Sequence, residues 1–121
     1  MSKYFTDAEF KCKCGRVECD ALTTPHPALL LKLNVLRMLV NRPVNVNSGI
    51  RCKYWNAKSG GVSESQHILA EAADLTVSGS RERWQVVKSA YEAGFRRIGV
   101  AKTFVHVDVG TKADQDVLWL Y

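Results

Sequence analysis

Phe104-Val105-His106-Val107-Asp108-Val109 alternates without a break. Successive side chains of a strand point to opposite faces, so Val105, Val107 and Val109 share one face and Phe104, His106 and Asp108 the other. The valine face reads as core. The opposite face carries an imidazole and a carboxylate side by side, an arrangement that serves a site or simply decorates an exposed strand. Upstream, Arg97–Ala101 reads as a second strand, joined to the first through a two-residue turn at Lys102-Thr103.

Working outward from this hairpin, the periodicity predicts two main helices. Pro27–Val40 opens with proline in its first turn and carries Leu29, Leu30, Leu33, Leu36 and Val40 on one broad apolar face. A second helix runs to about Ala93, with Ser80 as N-cap, Trp84, Val87, Ala90 and Tyr91 inward, and Gly94 as its stop. Thr6-Asp7-Ala8-Glu9 reads as a capping box opening a short N-terminal helix, with Phe5 and Phe10 stapling it to the core. Val44–Asn47 and Asp74–Val77 read as strands, Arg51–Gly61 as irregular or short helix, and Val117–Tyr121 as an edge strand. The pattern is α+β, a small antiparallel sheet packed against two main helices, with residues 1–121 forming a single domain.

A hydrophobic fraction of 46% and a charged fraction of 24% are those of a globular protein and exclude a disordered chain. The net charge of +5 favours anionic partners. Its basic residues are scattered, without the clustering of a nucleic-acid binder, so no nucleic acid is expected. No apolar run approaches the roughly 20 residues of a membrane span, and the N-terminus lacks the apolar stretch of a signal peptide. The chain is therefore expected to be made in the cytoplasm, without membrane insertion, as a monomer.

Three histidines can each be weighed. His26, between Pro25 and Pro27, reads as a surface turn residue. His67 and Asp74 are seven residues apart, too far for adjacent positions on one helix face, but suited to a loop residue and a strand residue converging on one point. With His106 they would supply two imidazoles and one carboxylate, a good catalytic zinc set that leaves a fourth position open for water. The cysteines, Cys12, Cys14, Cys19 and Cys52, leave three readings open: a structural four-thiolate zinc site, a disulfide from Cys14 or Cys19 to Cys52, or reduced thiols.

Taken together, Ser48-Gly49-Ile50-Arg51, Asn56, Gly60-Gly61, Ser65-x-His67-x-x-Ala70-x-Ala72-x-Asp74 and Phe104-Val-His106-Val-Asp108-Val-Gly110 resemble the zinc D-Ala-D-Ala carboxypeptidase family, whose fold it shares with the hedgehog signalling domain. The N-terminal Tyr4–Gly15 stretch is similar to its short members in phages and prophages. The resemblance implies a zinc-dependent peptidase of peptidoglycan stem peptides, with His67, Asp74 and His106 as metal ligands. It also implies a substrate-binding Arg51, holding a carboxylate or the developing oxyanion, with Ser65 and Gln66 beside it. An endolysin role follows: release through a holin-type pore to act on the cell wall in the host periplasm.

Two positions depart from the family pattern. Ala70 replaces a glycine, a mild change provided its φ is below zero. Thr103 stands where many members carry the acidic general base. Asp108 is the first replacement for it, Glu71 the second and Glu64 the third; Asp108 could instead orient a metal-bound histidine. The hedgehog domain illustrates the other outcome, a zinc site retained in a binding module, and a virion component on the same scaffold is a further alternative.

Overall fold

The computed structural model describes residues 4–62 and 65–121. In chain order a 3₁₀ turn (Asp7–Phe10) is followed by α1 (Pro27–Val40), β1 (Val46–Ser48), α2 (Lys53–Lys58), β2 (Ala72–Thr76), α3 (Gly79–Glu92), β3 (Arg97–Val100), β4 (Phe104–Asp108) and β5 (Val117–Leu120). The strands form one sheet in the order β1-β2-β4-β3-β5. The first three contacts are antiparallel, as expected from the sequence. β5 occupies the edge as predicted but runs parallel to β3, because the connection after β4 carries the chain back past Arg96 before it enters the sheet. No helix among the described residues is long and apolar enough to cross a membrane.

The valines of β4 do face the core. Val105 and Val107 are fully buried and sit in one cluster with Leu29, Leu33 and Leu36 of α1, Val86 and Ala90 of α3, and Leu75 of β2. Burying a leucine or valine side chain contributes about 1.5–3 kcal/mol, so this layer holds the helices to a single face of the sheet. α1 has the predicted bounds. Its N-cap is His26, whose Nδ1 accepts from the Ala28 N–H at 3.0 Å, and left-handed Asn41 closes it.

α3 departs from the sequence reading in register. It starts at Gly79 with Ser78, not Ser80, as N-cap, because the Glu82 carboxylate accepts the Ser78 N–H at 2.9 Å. Its buried face is Val86, Ser89 and Ala90, while Trp84 and Tyr91 are exposed. The small residues let α3 approach α1 and the sheet closely, which an indole and a phenol at the same contact would prevent. The C-terminal stop is as expected: Gly94 has φ +97° and the Phe95 N–H bonds the Ala90 carbonyl at 3.0 Å, a Schellman closure.

The strand starts also shift. β1 begins at Val46, and β2 begins at Ala72, because Ala72 and Ala73 pair with Asp108 and Val107. The N-terminal turn is fixed to the rest of the chain by Phe5 and Phe10, whose ring centroids are 5.9 Å apart, and by the Ile50 N–H bonding the Phe10 carbonyl at 2.8 Å.

Ala70 contradicts the condition set for it. Its φ is +60°, the left-handed region in which a Cβ is strained by about 1–2 kcal/mol. Its backbone is held there from both sides: its N–H bonds the His67 carbonyl at 3.2 Å and its carbonyl accepts from His26 at 2.8 Å. Ala73 is equally buried but lies in extended β2. Thermal or denaturant unfolding should therefore separate two chemically identical changes: Ala70→Gly neutral to stabilising by up to about 1 kcal/mol, Ala73→Gly destabilising by about 1–2 kcal/mol.

Candidate metal centre and active-site cleft

The sheet face turned away from the helices carries the site. One row of paired residues crosses all five strands, from Ser48 through Asp74, His106 and Gly99 to Trp119. Asp74 and His106 are thus direct cross-strand neighbours. His67 arrives from the turn between α2 and β2. Its Nδ1 lies 2.6 Å from the Gly49 carbonyl, and Gly49 itself packs so closely on the Phe10 backbone that a Cβ there would collide with it.

One ligand atom from each of His67, Asp74 and His106 lies within 4.8 Å of the others, and all three residues are buried. Asp74 Oδ1 is 2.9 Å from His106 Nδ1 and 3.3 Å from His67 Nε2. The remaining ring nitrogens are engaged behind the cluster, His67 Nδ1 by Gly49 and His106 Nε2 by Asp108 Oδ2 at 2.7 Å. A neutral imidazole has one N–H. Donated to those rear acceptors, it leaves a lone pair on each histidine aimed at Asp74, which is the donor set a divalent cation requires. The three residues singled out from the sequence are therefore brought together, and they fit a zinc ion.

Electrostatics follow the same geometry. Burial pushes the Asp74 carboxyl up, but hydrogen bonds and charge from His106 and His67 outweigh it and hold the group below the usual carboxylate range. Burial pushes His106 down, yet Asp108 and Asp74 together raise it above the ordinary imidazole value. Asp108 is likewise held low, its burial overcome by His106, the Gly110 N–H and Arg97.

Both Asp108 oxygens are occupied. Oδ1 accepts from Arg97 Nε at 2.7 Å and from the Gly110 N–H at 3.0 Å, while Oδ2 meets His106. Its side chain is 0% exposed. Glu71 lies outside the cleft, lining a separate groove with Gln66, Lys53 and Leu69. Glu64 lies outside the described residues.

The cluster opens into a cleft of about 480 Å³. Arg51 lines one wall, held by Ser48 Oγ (3.0 Å), Asn56 Oδ1 (3.3 Å) and Asp74 Oδ2 (3.3 Å). Gly61 closes over this network, and a methyl group there would strike Asn56 Oδ1. Ser65 and Gln66 also line the cleft, with Ser65 Oγ accepting the His67 N–H at 3.1 Å.

The opposite wall escaped the sequence reading. Trp119 of the edge strand and Tyr121 just after it face the cleft, the Trp119 ring centroid 5.3 Å from that of His106, and the Arg97 guanidinium stands over Trp119 at 5.2 Å. The period-2 spacing of Trp119 and Tyr121 was the available signal, but their face depends on the parallel register with β3. Gly99 makes the approach to His106 feasible. A Cβ at this position would lie 2.6 Å from Trp119 Nε1 and 2.8 Å from Tyr121 Cε2.

A small α+β domain carrying a buried His–Asp–His cluster at the floor of an open cleft defines a class of metal-site scaffold. The family model described as Peptidase M15 matches residues 3–108. The chain belongs to the M15 peptidase family. It is 32% identical over 89 residues to the zinc D-Ala-D-Ala carboxypeptidase of Streptomyces albus G, a match covering 73% of this chain and 32% of that protein. The chain thus spans about a third of the length of this curated relative.

The Gly99 contact gives a direct test of how the aromatic wall is held. Gly99→Ala should destabilise the domain by about 1–3 kcal/mol through overpacking. In hydrogen exchange, the amides of Val117 and Tyr121, which bond Arg96 and Val100, should lose protection before those of β4.

Proposed function

We propose that this chain is a zinc-dependent peptidase that hydrolyses peptide bonds in the stem peptides of peptidoglycan. The single observation that carries the proposal is the convergence of His67 Nε2, Asp74 Oδ1 and His106 Nδ1 at the floor of the cleft, each histidine fixed by an acceptor behind it. Membership of the M15 family and the similarity to a zinc D-Ala-D-Ala carboxypeptidase support the substrate class.

His67, Asp74 and His106 would hold zinc, which when bound polarises a carbonyl and acidifies water. One carboxylate among three ligands leaves the centre net positive, as that chemistry needs. Arg51, pinned by Ser48, Asn56 and Asp74, presents a positive planar group to a substrate carboxylate or to the oxyanion that develops on the scissile carbonyl. Ser65 and Gln66 offer further polar contacts beside it. The Tyr121 phenol, protonated at neutral pH and pushed further up by desolvation, gives the far wall a hydrogen-bond donor.

For Asp108 the geometry supports positioning over proton transfer. With both oxygens engaged and no exposure, it fixes the tautomer and orientation of His106 rather than meeting water. We further propose that the enzyme acts on the cell wall as a phage or prophage endolysin. Its net charge of +5, suited to an anionic wall, supports this reading. Thr103, in place of an acid, and the absence of any carboxylate besides Asp74 and Asp108 lining the cleft among the described residues favour one second reading, a non-catalytic zinc-binding module.

Digestion of purified peptidoglycan by the zinc-loaded chain, with mass analysis of the fragments, decides between the two. New amino termini or free D-Ala establish a peptidase and identify its bond, whereas an unchanged digest from zinc-replete protein establishes the binding module. Arg51→Ala should lower kcat/KM about 100-fold with zinc content retained. Asp108→Asn should weaken zinc binding about 10- to 100-fold, and added zinc should restore part of the turnover. Loss of turnover at full zinc occupancy in Asp108→Asn would instead make Asp108 the base.

A further inference from the structure

The four cysteines converge at a second place, outside the lining of the cleft. Cys12, Cys14 and Cys19 come from the loop after the 3₁₀ turn and Cys52 from the N-cap of α2, and their sulfurs all lie within 4.8 Å of one another. All four are free thiols. A tetrahedral zinc ion with Zn–S of about 2.3 Å spaces its sulfurs about 3.8 Å apart, so the cluster needs only a small contraction to embrace one.

Each sulfur also has a backbone partner. The Cys52 N–H points at Cys12 Sγ (3.3 Å), the Arg16 N–H at Cys14 Sγ (3.4 Å) and the Trp55 N–H at Cys52 Sγ (3.3 Å), while the Ala21 backbone hydrogen-bonds Cys19. A neutral thiol is a weak acceptor, whereas a thiolate gains much from such donors. Gly15, with φ +69° and open space where a side chain would stand, turns the loop so that Cys14 and Cys19 face the same point. Lys11, Lys13, Arg16 and Lys53 flank the cysteines in sequence against Glu18 and Asp20, an excess of two positive charges beside the two negative charges of a divalent ion held by four thiolates. A disulfide would use two sulfurs and leave the convergence of the other two unexplained.

We infer that Cys12, Cys14, Cys19 and Cys52 bind a structural zinc ion, distinct from the metal held by His67, Asp74 and His106. Four protein ligands close the coordination sphere, so this ion does no chemistry on substrate. Its work is to clamp the N-terminal loop onto Cys52, the residue after Arg51 and the cap of the helix that carries Asn56. The ion thereby fixes the wall of the cleft from behind.

Metal analysis of the chain, purified under reducing conditions with zinc and dialysed, tests this without reference to turnover. About two zinc ions per chain are expected. His67→Ala/His106→Ala should retain one, and Cys14→Ser/Cys19→Ser should retain the other. A thiol-specific mercurial should release one equivalent from the parent chain. Cobalt substitution should give sulfur-to-metal charge-transfer absorption that persists in the histidine double variant. That spectrum decides the matter even where the cysteine variant fails to fold. A histidine double variant without zinc and with four titratable thiols would overturn the inference. So would a mass deficit marking a disulfide, or iron in place of zinc. Failure of the histidine site looks different: zinc lost from the cysteine variant but retained, sulfur-bound, in the histidine variant.

Discussion

Everything at the cleft depends on holding one imidazole between two buried carboxylates. His106 sits directly across from Asp74 in the β2–β4 ladder and two residues before Asp108 on its own strand, with ring nitrogens 2.9 Å and 2.7 Å from those two acids. Burying this much charge is costly unless every group has a partner. The rest of the face supplies them: Arg97 and the Gly110 N–H to Asp108, Arg51 and His67 to Asp74, and the Gly49 carbonyl to His67. Among the described residues no buried side-chain polar atom is left without a hydrogen bond. The sheet is the instrument of this arrangement, because its register sets which residues meet, and the core valines of the same strand set the register.

The same network ties distant parts of the chain to one place. Gly49 packs on Phe10 and holds His67; Arg51 holds Asp74; Cys52 caps the helix that presents Asn56 to Arg51. The N-terminal turn and cysteine loop therefore lie behind the Arg51 wall of the cleft rather than apart from it. Arg51 is buttressed by groups separated by 26 residues in sequence, Ser48 to Asp74, so its orientation is a property of the folded domain and not of a local loop.

Much of this was legible in the residues. β4 announced itself through unbroken alternation, and α1 through proline at its start and leucines at helical spacing. The His67, Asp74 and His106 set could be named because residue chemistry restricts which groups bind zinc, and motifs resembling a known family joined them. What escaped was decided by tertiary context. Trp84 and Tyr91 satisfy helical periodicity as well as Val86 and Ala90 do, and only close packing against α1 selects the smaller pair. Ala72 and Ala73 hide the start of β2 because alanine is a weak strand former. The left-handed backbone at Ala70 is imposed by hydrogen bonds from His26 and to His67, which no local signal reports. Trp119 and Tyr121 reach the cleft only because β5 enters parallel to β3 and Gly99 leaves room.

The central claim is that a metal sits among His67, Asp74 and His106, and anomalous diffraction from crystals grown with zinc tests it most directly. With data collected on either side of the zinc absorption edge, the account predicts an anomalous peak bounded by His67 Nε2, Asp74 Oδ1 and His106 Nδ1, with Asp108 still bonded to the rear nitrogen of His106. No peak at that point in crystals grown at saturating zinc, or the two imidazoles turned away from Asp74, would contradict it.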